Sequence, residues 1–554
     1  MKKTCSPLYL VLTKKINKKS SHVYKRDIYV KLLVIMDNKY MRKFSCNIKI
    51  FSLCLLSIAI LIIIIPQMFL FSHITDDAYI SFRYATRLAE GHGLTFNPGE
   101  WVEGFSNPLW TLLISAIIRL TPFAAPDITR WLGLLCTILT IITIWRIFHK
   151  NGIRGYEGRS NFLVCATIVL INPGFHVYAT AGLETPLFTY LLILGVALSL
   201  SDRDSHHYLA ALPFGFSSIT RPEGLLYGLL WFVSTLKRND KKLSIRYEAE
   251  RFTILLLPFM AYQIFRLCYF KALVPNTAIA KPPGTFGYMF GLPYLYPWIQ
   301  SLGGVLIFLL LVLFPVRKTK GCQMLYRTCV GPIAAGIIFV AYAQGDWMPF
   351  GRFIVPIWPL VAIVVSVWVH SLIENLKEIH FLRFKRSTKF VVVVVLMLAS
   401  LFTWREEIEL YLRNYGLRML MRGTDQIAVG EWLASNVKKG TTVATGRLGG
   451  ISYAAPDIVF WDTEGLTDRE QAQYIAEGRP GGFERDPIWN RTPEVIAATE
   501  FSDSRGYTRD LKLFQWLKDN YTFVRSFPQG TCGSIDIWIS KKSLSILHFD
   551  LPTK

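Results

Sequence analysis

The chain has 554 residues, 52% of them hydrophobic, with positive mean hydropathy, and it carries 61 Lys and Arg against 39 Asp and Glu. An apolar and basic chain of this kind fits a polytopic membrane protein with basic cytoplasmic loops; it excludes a typical nucleic-acid binder, whose basic residues would sit on a soluble domain. Eight of the nine cysteines lie in the basic N-terminal segment, apolar segments or basic loops, and only Cys532 falls in the tail, so neither a disulfide framework nor a CxxC metal site is expected.

Residues 1–49 hold 13 Lys and Arg against two Asp, which keeps them on the cytoplasmic side. Met36 and Met41 are alternative starts within this segment. Residues 50–71 are uncharged and long enough to cross a bilayer core of roughly 30 Å. With no small-residue cleavage site after them, they read as a span rather than a signal peptide.

Next comes an external loop, 72–128, opening on "DDAYISFRYATRLAEG". It reads as a helix with Ala78, Phe82, Ala85 and Ala89 on one face and Arg83, Arg87 and Glu90 on the other. Thr75 or Asp76 is expected to cap it, which accounts for one carboxylate of the Asp76–Asp77 pair better than for both. Neighbouring helical residues point about 100° apart, so the two can serve different tasks.

Apolar segments follow near 129–145, 161–171, 185–200, 208–219, 224–236, 252–270, 302–316, 324–344, 353–373 and 389–404. If 108–121 lies along the membrane, the basic loops 146–159, 237–251, 316–327 and 374–389 all fall inside. About 11 spans result, with the N-terminus in and the C-terminus out. The loops "NPGFHVYATAGLET", "TRPEG", "VPNTAIAKPPG" and "QGDWMPFGR" then face outside with the acidic first loop. Residues 50–404 are thus read as the transmembrane domain and 405–554 as a soluble extracytoplasmic α/β domain. In that tail, strands are expected at Thr441 to Thr445, Ile458 to Trp461, 522–526 and 535–540, with a helix at 508–519. "GRLGG" reads as a glycine turn; it lacks the full pattern of a phosphate-binding loop.

A carboxylate at the outer edge of a membrane cavity suits a general base acting on a hydroxyl, and cations suit a departing phosphate. Arg221, Lys281 and Arg352 fall at that depth, as do Glu103, Glu184, Glu223 and Asp346. Ionisable residues near span ends tend to be functional, although some only snorkel or pair. His73, His92 and His176 also face outside without ligand spacing, and read as polar loop residues.

The run "DDAYISFRYATRLAEGHGLTFNPGEWVEGFSNPLW", with "AGLETPLF", "TRPEG", "PNTAIAK", "GDWMPFGRFIVP" and "WDTEGLTD", resembles the GT-C membrane glycosyltransferases, in particular the branch of the mycobacterial terminal arabinofuranosyltransferase and LphB-like proteins. The resemblance runs from about residue 50 to 470. It implies a polyprenyl-phosphate sugar donor, a base at Asp76 or Asp77, and donor-phosphate or substrate contacts among Arg221, Glu223, Asn276, Lys281, Asp346, Arg352, Glu103 and Glu184. It further implies an inner-membrane enzyme, with an envelope glycan, lipid or protein as acceptor and a pentose such as arabinofuranose as one option for the sugar. A divalent cation could use the acidic first loop but is not required. The competing readings are a transporter or flippase of lipid-linked sugars and an envelope-assembly scaffold; no internal repeat favours the transporter.

Overall fold

A computed structural model of the protein describes residues 74–150, 156–200, 204–236, 245–281, 320–378, 416–499, 511–528 and 534–547, apart from 347, 349 and 481, together with scattered positions from 54 to 65. The basic N-terminal segment, most of the first apolar run, His73 and the expected spans 302–316 and 389–404 lie outside the described residues.

The helices are α1 (Asp76–Ala89), α2 (Pro108–Leu120), α3 (Ala125–Lys150), α4 (Tyr156–Ile171), α5 (Pro173–Val177), α6 (Thr185–Ser199), α7 (Asp204–Ser217), α8 (Gly224–Thr235), α9 (Ile245–Tyr269), α10 (Asn276–Ala280), α11 (Lys320–Ala343) and α12 (Trp358–Glu378). Among the described residues, three helical stretches are long and apolar enough to cross a membrane: Ala125–His149, Ile245–Tyr269 and Gln323–Ala343. Among the described residues, proline sits inside three helices, at Pro213, Pro258 and Pro332. Membrane helices tolerate it because neighbouring groups satisfy the freed carbonyls. Leu257, Met260 and Ile264 on α9 are exposed, as a lipid-facing flank should be.

The tail begins with α13 (Gly416–Asn436) and continues through β1 (Thr442–Thr445), α14 (Leu448–Ala454), β2 (Val459–Asp462), α15 (Arg469–Ala476), α16 (Pro487–Asn490), β3 (Val495–Thr499), α17 (Leu511–Asn520), β4 (Tyr521–Pro528) and β5 (Ser534–Ser540). The sheet order is β2-β1-β3-β5-β4, with β2, β1 and β3 parallel and β5 antiparallel to β3 and β4. Along β5 the alternation sends Ile535, Ile537 and Ile539 into the core, the period of two that a half-buried strand demands. The "glycine turn" is instead the first turn of α14, and β3 and α15 are elements that the sequence pattern did not announce.

The tail does not keep its core to itself. Ile80 and Tyr84 of α1, with Leu94, Phe96 and Phe105 of the following loop, join one apolar cluster with Val429, Leu433, Val443, Leu448 and Ile451. Arg83, expected on a polar face, is buried against it. Its guanidinium donates to the carbonyls of Ser452, Ala455 (3.1 Å), Pro456 (3.4 Å) and Ile458 (2.9 Å), and Nε donates to Phe96 O at 3.0 Å. The rings of Phe96 and Phe460 lie against it at 4.8 and 5.1 Å. Burial, and secondarily Arg87, pulls its pKa down to about 9, a measure of how completely water has been removed.

Asn97 makes a second attachment. Its side-chain amide gives and receives hydrogen bonds with the backbone of Phe460, at 2.7 and 3.0 Å, on the edge strand β2. The amide stands in for a neighbouring strand and covers the open edge. Arg83→Met should strip several buried carbonyls of their donor and cost roughly 3–5 kcal/mol. A lowered unfolding midpoint with early proteolytic release of the tail is the expected result; wild-type values for both would contradict the rivet.

Candidate functional site

From α1 the chain passes through a loop that Tyr84 shapes: its hydroxyl donates to Val102 O at 2.7 Å and accepts from Gly104 N at 3.0 Å. A Cβ at Gly104 would lie 2.5 Å from Thr467 Cγ2 and 2.8 Å from the Tyr84 hydroxyl, so only glycine lets the tail approach here. Beside this contact opens a cavity of about 230 Å³. Its walls carry Asp77 and Ser81 of α1, Asn107, Glu184, Arg221, Glu223, Lys281 and Arg352, and Leu466 of the tail.

The adjacent carboxylates part company. Asp77 lines the cavity, and among the described residues its carboxylate has neither a hydrogen bond nor an ion pair. Asp76 does not line it. Its Oδ1 accepts from Gly450 N at 2.8 Å in the first turn of α14, and a Cβ on Gly449 would collide with the Asp76 carbonyl at 2.0 Å. The glycines of "GRLGG" therefore admit Asp76 rather than a phosphate. The expected capping of α1 by Thr75 or Asp76 is corrected: Thr75 holds the cap position without a side-chain hydrogen bond. Burial pushes the Asp76 pKa up to about 6, against the Gly450 N–H, with the Asp77 charge adding to the rise.

Arg221 is buried between carboxylates. Its Nε donates to Glu223 Oε1 at 2.5 Å, and its Nη1 lies 3.3 Å from Glu184 Oε1. Burial opposes its charge, but Glu223 and Glu184 outweigh that and hold the pKa above its ordinary value. Glu184 is steadied by Asn107, whose Nδ2 donates at 2.9 Å to Glu184 Oε2 while its Oδ1 accepts from Ser81 (3.0 Å) and Thr111 (3.1 Å). Asn107 escaped the sequence reading because no charge marked it.

Arg352 donates to Asp346 Oδ2 at 2.7 Å. Its pKa is also raised: burial works against it, while Asp346, Glu184 and Asp77 favour the cation. Lys281 lines the cavity, and among the described residues its ammonium has no ion-pair partner.

Glu103 and Asn276 serve as struts. Glu103 receives Arg266 at 2.5 and 3.1 Å and Tyr262 at 2.8 Å, whereas Asn276 Nδ2 reaches the carbonyls of Gly465, Leu466 and Asp468 at 2.7 to 3.1 Å. Neither side chain lines the cavity, and Asp346 reaches it only through Arg352. His176, read as a polar loop residue, is buried in α5 with Nε2 2.7 Å from Leu170 O; His92 is exposed. Among the described residues no three His, Cys, Asp or Glu side chains gather closely enough to hold a metal ion.

Comparison with solved structures shows the fold. ArnT from Cupriavidus metallidurans bound to undecaprenyl phosphate superposes with a TM-score of 0.51 at 13% identity, covering 88% of this chain and 98% of that one. The Archaeoglobus fulgidus oligosaccharyltransferase tethered to an acceptor peptide gives 0.51 at 10% identity, covering 88% and 74%. The chain has the GT-C fold. It is thus a polytopic membrane protein.

In sequence, the chain is 35% identical over 228 residues to the terminal beta-(1->2)-arabinofuranosyltransferase of Mycobacterium tuberculosis, a match covering 38% of this chain and 35% of that protein. The enzyme of the same name from Corynebacterium glutamicum is 31% identical over 237 residues, covering 38% and 33%. The match therefore spans about a third of the length of either relative. Residues 414–545 match a family described as a domain of unknown function (DUF8728).

Asp462 gives the cavity wall its shape, accepting from Glu464 N and Thr467 N at 2.9 Å each, and burial pushes its pKa up to about 7. Both raised aspartates hold protons in the folded state that the unfolded chain has released. Their contribution is therefore greatest below about pH 4 and is lost as pH rises through about 6 for Asp76 and about 7 for Asp462. The difference in unfolding midpoint between wild type and Asp76→Asn should fall between pH 4 and 7, and likewise for Asp462→Asn. A difference that does not change with pH would refute the assignment.

Proposed function

We propose that this protein transfers a sugar from a polyprenyl-phosphate donor to a hydroxyl acceptor at the external face of a bacterial cytoplasmic membrane. The observation that carries the reading is the presence, in one cavity, of an unpartnered carboxylate and an unpartnered ammonium, Asp77 and Lys281, among the described residues. The acceptor oxygen attacks the anomeric carbon, Asp77 takes the hydroxyl proton, and the bond from that carbon to the phosphate oxygen breaks with its electron pair going to the phosphate. Lys281 and Arg352 face the charge that gathers there, in a site closed to water on one side by Leu466 of the tail.

The named relatives, terminal arabinofuranosyltransferases, support a pentose such as arabinofuranose as the sugar. The structural neighbour holding undecaprenyl phosphate supports a polyprenyl carrier. The acceptor is an envelope glycan, lipid or protein, and the proposed topology keeps the N-terminus inside and the tail outside. The hydrogen bond from α14 to Asp76, against the carboxylate of Asp77 in the cavity, free among the described residues, supports Asp77 as the base.

Reconstituted full-length protein, offered a panel of polyprenyl-phosphate pentoses and hexoses with candidate acceptors, should consume one donor. Asp77→Asn should slow this by roughly 10²- to 10⁴-fold, the usual worth of a positioned base, while remaining folded. Asp76→Asn should retain most of the activity. Full activity in Asp77→Asn would sink the mechanism, and transport of an intact donor would favour a flippase.

A further inference from the structure

The sequence groups Arg221 with Lys281 and Arg352 as cations for a phosphate, but its surroundings are wrong for that task. Two carboxylates, Glu184 and Glu223, flank it, so the three side chains together carry net negative charge. In a buried site a phosphate approaching Arg221 meets these carboxylates at short range and little water to screen them. We infer that Arg221, Glu184 and Glu223 form a subsite for the hydroxyls of a sugar ring, leaving the phosphate to Lys281, which has no ion-pair partner among the described residues. The assignment rests on the glycosyl-transfer reading above.

Three observations carry it. Arg221 Nη1 is buried, and its 3.3 Å approach to Glu184 lacks hydrogen-bond geometry, so it has no hydrogen-bond acceptor among the described residues. All three residues line the same cavity as Asp77. Their rotamers are fixed before any ligand arrives: the Arg221 guanidinium lies 5.7 and 5.2 Å from the rings of Phe188 and Phe353, and Asn107 holds Glu184. A hydroxyl both donates and accepts, so it can accept from Nη1 and donate to a carboxylate oxygen. A phosphate oxygen can only accept, so it could use Nη1 but could make no hydrogen bond to the carboxylates. A prearranged set of one donor fork and two acceptors thus favours neutral polyol edges over an anion.

The hydroxyls belong to the donor sugar or to a sugar acceptor, and two arms of one experiment separate these. Full-length wild type, Glu184→Gln, Glu223→Gln and Lys281→Gln in nanodiscs would be titrated with undecaprenyl phosphate and with undecaprenyl-phosphoryl arabinofuranose; KM for an octyl arabinofuranoside acceptor would be measured in parallel. Unfolding midpoints would show that each variant is folded. Lys281→Gln should weaken undecaprenyl phosphate by roughly tenfold or more, the worth of a charge-assisted contact, while both glutamine variants bind it at least as tightly as wild type. The glutamine variants should lose roughly tenfold or more in one sugar arm, which names the source of the hydroxyls. Wild-type values in both sugar arms, even with a lowered midpoint, would reduce the trio to a structural ion cluster and overturn the assignment. Equal weakening of bare undecaprenyl phosphate in the glutamine variants would overturn it too. Failure of wild type to bind any of the lipids would instead remove the glycosyl-transfer reading on which it rests.

Discussion

A guanidinium stripped of water must find acceptors, and Arg83 finds them in backbone carbonyls of the tail and its own loop. No carboxylate hydrogen-bonds to it among the described residues, so its charge is answered by oriented backbone dipoles and two aromatic faces. Such a group has few alternative arrangements of comparable energy. It fixes α1 against α14 and β2, and with α1 it fixes the two aspartates that begin that helix.

That constraint turns two adjacent, chemically identical residues into different ones. Once α1 is set, Asp76 meets the first turn of α14 and Asp77 meets the cavity. The same attachment brings Thr467 and Leu466 over Gly104, so a segment more than three hundred residues away in sequence becomes a wall of the site. The tail is therefore part of the cavity's construction. Its core continues into α1 and the loop that follows, and these fold against the tail as one unit.

What the sequence made legible was part of the cavity's lining. Counting basic loops grouped Asp77, Glu184, Arg221, Glu223, Lys281 and Arg352, and all six line one cavity. The alternating isoleucines of β5 and the apolar runs of the long helices could be read for the same reason: each is a local period imposed by burial. Contacts across long stretches of chain left no such trace. Arg83 looked like a polar-face residue because helical periodicity cannot tell solvent from a partner's carbonyls, and "GRLGG" looked like a turn because its glycines answer to Asp76, some 370 residues earlier. Glu103 was grouped with the ligand contacts by depth and Asn276 by the resemblance, whereas their side chains brace Arg266, Tyr262 and the 465–468 backbone. Depth narrows the candidates, but only geometry separates a residue that faces the cavity from one that holds its wall.

The most direct measurement is an electron cryomicroscopy structure of the full-length Asp77→Asn protein with undecaprenyl phosphate. Phosphate density is expected within hydrogen-bond reach of Lys281 Nζ, in the cavity that residue 77 lines, with Leu466 still forming its wall and Arg221 still held by Glu184 and Glu223. Phosphate density bound to Arg221 or outside this cavity, or a tail detached from α1, would contradict this expectation.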